Sequence, residues 1–119
     1  MVTETFAKSF ADTWAAAWNA HNLDAILSHY SDNFTIETPM AAKLLAGNEG
    51  VVHGKEAVRE YWQIGLQRIP DLHFEILDVL TGINSLTIYY INTATGRKSA
   101  ESLFFNDTGK IHRAFVMYS

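Results

Sequence analysis

The sequence predicts an α+β fold in which three N-terminal helices pack in the concavity of a curled, mainly antiparallel sheet. Two observations carry this. Apolar residues recur at helical spacing through Phe6, Phe10, Trp14, Ala17 and Trp18, and again through Val58, Trp62, Leu66 and Ile69. From residue 72 onward the pattern changes to short strand-like runs separated by turns, the last two of which carry Gly96 and Gly109.

The first helix is predicted from about residue 3 to residue 20, with Ala15, Ala16 and Ala17 adding propensity. His21-Asn22 breaks it, and Asn22 can cap a second short helix carrying Leu23, Ile26, Leu27 and Tyr30. Ser31-Asp32-Asn33 is turn chemistry, and Phe34 to Thr38 alternates as a strand that Pro39 ends. Met40 to Gly54 reads as a long, apolar connection, the kind that either functions as a lid or packs down over something. Lys55 to Ile69 is the third helix, stopped by Pro70. Strands follow at Leu72–Leu80, Ser85–Thr93, Lys98–Asn106 and Lys110–Tyr118. Tyr89, Ile91 and Phe104 fall on the parity opposite the inner residues. That second apolar face suggests a homodimer packed sheet to sheet.

A chain of 119 residues, 48% apolar and 18% charged, is long enough for one domain (1–119) with a single core. A net charge of −4 with scattered cations gives no electrostatic case for nucleic acid. With no cysteine, disulfides, thiolate nucleophiles and sulfur-ligated metals are excluded. His21, His29, His53, His73 and His112 show no ligand spacing, so no metal is expected, and the reading calls for no cofactor. No apolar run reaches the length of a membrane span, and the N-terminal residues have no apolar signal core. A cytoplasmic protein without membrane partners is expected.

Glu101 stands out within Ser99-Ala100-Glu101-Ser102-Leu103-Phe104-Phe105. Counting by twos places it with Leu103 and Phe105. If that face is internal, desolvation raises the carboxyl pKa and the group can hold a proton near neutrality. Such an acid can steady a developing oxyanion or return a proton. The competing reading is a solvated strand-end carboxylate paired with Lys98 or Arg97.

Certain local words, in order, resemble the nuclear transport factor 2-like superfamily, in particular its SnoaL-like and ketosteroid-isomerase-like branch. They are Trp18-Asn19-Ala20-His21-Asn22-Leu23-Asp24, Tyr30-Ser31-Asp32-Asn33-Phe34, Thr38-Pro39, Gly54-Lys55-Glu56-Ala57-Val58 and Asn106-Asp107-Thr108-Gly109-Lys110-Ile111. The resemblance covers nearly the whole chain. It implies a cone-shaped α+β barrel with a pocket between the concave sheet face and the helices. It does not imply one activity, because this fold hosts isomerases, cyclases, hydrolases, dehydratases and proteins with no chemistry.

In the ketosteroid-isomerase pattern, a helix tyrosine and a protonated late-strand acid bind the substrate carbonyl, and an aspartate moves the proton. The late-strand acid falls on Glu101, the tyrosine position on Trp14 and the base position on Thr38. Neither Trp14 nor Thr38 can play the family role, so steroid isomerisation itself is not expected. Glu37 and Asp32 are weak substitutes, the first on the wrong strand face and the second a turn residue. Asp78 shares parity with Phe74, Ile76 and Leu80, and either an inward or a solvated position fits it. His112 shares parity with Ala114, Val116 and Tyr118 on the strand next to that of Glu101. It is the candidate proton partner, with a rim histidine as the competing reading.

The functional expectation is a pocket for a small, mostly apolar, carbonyl or polyketide-like compound, with Glu101 and His112 as catalytic candidates for proton transfer. Trp14, Trp18, Tyr30, Thr38, Met40, Trp62, Leu103 and Tyr118 are the expected binding residues. The alternatives are a non-catalytic binding module and a dimerising scaffold whose pocket is filled by its own aromatics.

Overall fold

Thr3 opens the first helix by accepting a hydrogen bond from the Phe6 N–H at 3.1 Å, the side-chain cap that an N-terminal turn needs. The computed structural model describes residues 1–119. Helix α1 runs Glu4–Asn19 and buries Ala7, Phe10, Ala11, Trp14 and Trp18 along one stripe. Asn22 caps α2 (Leu23–Leu27) through the Ala25 N–H, as its residue type predicts. Strand β1 (Tyr30–Glu37) follows, and Thr38 caps α3 (Pro39–Leu44) with Pro39 in its first turn. Then come β2 (Val51–His53), α4 (Lys55–Arg68), β3 (Phe74–Thr81), β4 (Ser85–Asn92), β5 (Arg97–Phe105) and β6 (Ile111–Tyr118).

The six strands form one sheet in the order β2-β1-β6-β5-β4-β3. Pairing is antiparallel except between β1 and β6, so the sheet is mixed. It does not close, and β2 and β3 are its edges. Gly96 (φ 73°) and Gly109 (φ 78°) take the left-handed conformation in the last two turns that the hairpin reading requires. The helices cover one face. Trp14, Phe74 and Tyr90 pack together between α1 and the sheet, and Trp18, Trp62, Tyr30 and Phe34 bridge α1, α4 and β1. Asn19 fastens the end of α1 to the start of β3 by pairing with both backbone groups of Phe74 (2.7 and 3.0 Å).

Two expectations are corrected, and the position of Asp78, left open between inward and solvated, is decided. The segment after Pro39 is not an unstructured connection: it contains α3 and the edge strand β2, giving four helices and six strands. Elements of six and three residues are too short to show a period. Asp78 does not share the environment of Phe74. A register irregularity between Ile76 and Asp78 shifts the parity, so Val79 packs on the core while Asp78 is exposed and accepts from the Val79 N–H. His112 sits where the β5–β6 register slips, Phe105 facing Ile111 and Phe104 facing Arg113, so it does not continue the Ala114–Val116 face.

Candidate functional site

Between α1, α3, α4 and the sheet lies a partly open cavity of about 140 Å³. Its walls are mostly apolar: Trp18 from α1, Met40 and Leu44 from α3, Trp62 and Leu66 from α4, and Phe74 and Val116 from the strands. An apolar void of roughly 150 Å³ takes up a benzene-sized guest, so this one suits a single compact ring unless the guest protrudes through the mouth.

Glu101 is the only carboxyl group on that wall. It is 5% exposed and opposes Val116 on one side and Ile88 on the other. Burial pushes its carboxyl up to about 7, while a hydrogen bond donated by the Tyr90 hydroxyl at 3.0 Å pulls the other way. At neutral pH it therefore exists in both protonation states. It can take a proton from a carbon acid or return one without a large mismatch in driving force.

A second polar cluster faces the cavity. The Thr38 hydroxyl lies 3.2 Å from the Tyr118 hydroxyl and 3.5 Å from that of Tyr61, and it accepts the Met40 N–H at 3.3 Å. Tyr61 and Tyr118 line the cavity; Thr38 stands behind them. Burial raises the pKa of Tyr61, Tyr90 and Tyr118, so all three remain protonated donors near neutrality. No group of His, Asp and Glu side chains could hold a metal ion.

The model of the SnoaL-like domain family matches residues 11–114. The chain belongs to the SnoaL-like family. A SnoaL-like protein of unknown function from Burkholderia thailandensis is 42% identical, with a TM-score of 0.93 and coverage of 100% of this chain and 99% of that one. AclR, a putative hydroxylase from Streptomyces galilaeus, is 18% identical with a TM-score of 0.74, covering 98% and 91%. TerC, co-crystallised with polyporic acid, is 13% identical with a TM-score of 0.75, covering 95% and 91%. The last two share the fold at that level. None of the curated proteins matches the chain in sequence.

Within this SnoaL-like frame, Trp18, Met40, Trp62, Glu101 and Tyr118 line the cavity. Thr38 reaches it through the two tyrosines. Trp14, Tyr30 and Leu103 do not line it. All three are fully buried behind the wall, where Trp14 donates its indole N–H to the Tyr30 hydroxyl at 3.3 Å. Trp14 is thus a packing residue. His112 is also absent from the wall. Glu101 opposes Val116, four residues along β6 from His112, a strand distance of roughly 13 Å. The pairing of Glu101 with His112 is therefore not formed. Glu37 is exposed, as strand parity predicts.

Tyr61, Tyr90 and Asn92 are wall residues that the sequence reading passed over. A signal existed for Tyr61: Val58, Tyr61, Trp62, Gly65, Leu66 and Ile69 form one broad stripe, of which only the larger apolar members were counted. Tyr90 shares strand parity with Ile88 and Asn92, and only the opposite face of β4 drew notice.

Proposed function

We propose that this SnoaL-like chain binds a small, mostly apolar carbonyl compound and moves a proton on it, with Glu101 as the proton carrier. The observation that carries this reading is a lone carboxyl group, held near a pKa of 7, on the wall of a mostly apolar cavity. One such group suffices for an isomerase-type or cyclase-type transfer. It removes a proton from carbon as a carboxylate and returns it to another atom as an acid, while the tyrosine hydroxyls stabilise the enolate oxygen. That TerC, which shares this fold, was co-crystallised with polyporic acid supports a small-molecule guest.

The test is native mass spectrometry of the freshly purified protein, followed by turnover of any retained compound and its congeners by wild type and Glu101→Gln. Loss of turnover in the variant, with binding retained, is the expected result. Unchanged turnover would end the proposal.

A second reading, binding without chemistry, is favoured by the absence of any other carboxyl or imidazole from the wall. Under it the retained compound is recovered unmodified, and Glu101→Gln changes only affinity and its pH dependence. For the assembly, we infer a homodimer paired through the outer sheet face. There Phe104 and Phe115 meet edge to face at 5.3 Å and Met117 is exposed.

A further inference from the structure

Helix α4 carries a glycine where its own backbone has no need of one. Gly65 lies within Lys55–Arg68 and is not among the glycines of positive φ. Glycine weakens a helix relative to alanine, because it loses more backbone freedom on folding. A left-handed backbone, or a neighbour too close to admit a side chain, usually accounts for such a residue. Neither holds here. Outside its own helix backbone and its chain neighbours, no atom lies within 4 Å of where a Cβ would stand. Gly82 is the contrast, since a Cβ there would run into the Ser85 hydroxyl. Nor is the position simply turned to solvent: Gly65 is half-buried and lines the cavity.

The cavity face of α4 consists of Tyr61, Trp62, Gly65, Leu66 and Ile69. Tyr61 and Trp62 are buried and the other three are half-buried, so this face runs from the closed end of the cavity to its mouth. Met40 and Leu44 of α3, also half-buried, line the same opening. Tyr61 belongs to the Glu101 end: burial chiefly raises its pKa, and the Glu101 charge adds to the shift. Gly65 follows Tyr61 by one helical turn, about 6 Å along the axis. A guest whose carbonyl ring lies between Tyr61 and Glu101 therefore meets Gly65 with whatever it extends towards the mouth. The missing side chain leaves bare helix backbone there, a floor against which a second ring can lie.

We propose that the notch at Gly65 is a subsite for a second ring and that Gly65 sets the size of guest the cavity accepts. The inference rests on the pocket reading above and deepens it. The carbonyl ring occupies the closed end beside Glu101, and an apolar ring joined to it fills the notch under Met40, Leu44 and Leu66. A side chain at position 65 would take the space of that second ring and leave the first undisturbed.

The test uses two probes, cyclohexanone and 4-phenylcyclohexanone, titrated into the wild type, Gly65→Ala and Gly65→Leu and followed by amide NMR shifts. The wild type is expected to bind the two-ring ketone at least about tenfold more tightly than cyclohexanone. Gly65→Ala should raise the melting temperature by roughly 3 °C, because alanine favours the helix and meets no obstruction. The same variant should weaken the two-ring ketone about tenfold and leave cyclohexanone unchanged. Gly65→Leu should reduce the two-ring ketone to the affinity of cyclohexanone. A glycine kept for packing gives the opposite sign of stability change, so melting and binding together separate the two roles.

A lower melting temperature in Gly65→Ala, an unchanged affinity for the two-ring ketone in both variants, or an equal loss for both probes overturns the inference. If cyclohexanone binds and the two-ring ketone binds no more tightly, the pocket reading stands and the subsite falls. If neither probe binds the wild type, the pocket reading fails and takes the subsite with it.

Discussion

The Tyr90 hydroxyl donates to Glu101 Oε1 at 3.0 Å, and this bond opposes the desolvation that raises the carboxyl pKa. Tyr90→Phe removes the donor and leaves the apolar surroundings in place. The Glu101 pKa is then expected to rise further above 7. Carboxyl-carbon NMR chemical shifts followed against pH would measure it. A fall in the pKa would mean that Tyr90 does not stabilise the ionised form.

The same carboxyl makes stability depend on pH in a direction opposite to that of a paired carboxylate. Its folded pKa of about 7 lies above the ordinary value of 4.5, so between these values the folded state holds more protons than the unfolded state. Stability is therefore greatest below about 4.5 with respect to this group, and it declines as pH rises towards 7. The full penalty at pH 8 is about 3 kcal/mol. Glu101→Gln should abolish this slope and leave the variant more stable than wild type at pH 8. Urea unfolding at pH 5 and pH 8 compares the two directly.

Asn19 joins α1 to β3 by pairing with both the N–H and the C=O of Phe74. Asn19→Ala removes two hydrogen bonds at a partly buried position and should cost about 2 kcal/mol, read from urea midpoints. Because Phe74 lies on the cavity wall, ligand affinity is expected to fall as well.

Thr38 serves both as the cap of α3 and as the hub of the hydroxyl cluster. Thr38→Val keeps the shape and removes the oxygen, with an expected loss of about 1 kcal/mol from the cap alone. Thr38→Ser should restore most of it. If Val and Ser behave alike, the hydroxyl holds nothing in place.

The proposed pairing of two copies makes a simple prediction. Phe104→Asp places a charge against Phe115 and Arg113 on the outer face, away from the cavity. Light scattering should show the wild type at twice the chain mass and the variant at the chain mass. A monomeric wild type would refute the pairing.

Most of the architecture was legible because long periodic segments announce themselves. Helix α1, the Asn22 cap of α2, the start of α4 and the last two hairpins follow from spacing and turn chemistry. Glu101 was legible for the same reason: β5 keeps strict alternation through Ser99, Glu101 and Leu103, all buried. What the sequence hid are the places where alternation stops. One irregularity exposes Asp78, and another takes His112 off the inner face. A bulge has no compositional mark, so parity counted across it misleads. The tyrosines were hidden differently, since a phenol on a helical stripe looks like core until its hydroxyl partner, Thr38, is brought next to it from β1.

The strand order also governs how the chain can assemble. Strand β6 is inserted between β5 and β1, so a strand made after the β3–β5 meander is an interior member of the sheet. Until it is in place, no strand joins β1 and β2 to the β3–β5 meander, and the two parts of the sheet are linked only through the helices. Folding should therefore be late and cooperative, limited by a distant pairing rather than by helix formation. Ribosome-bound chains halted before residue 111 would be expected to expose both edges and to seek chaperones or one another.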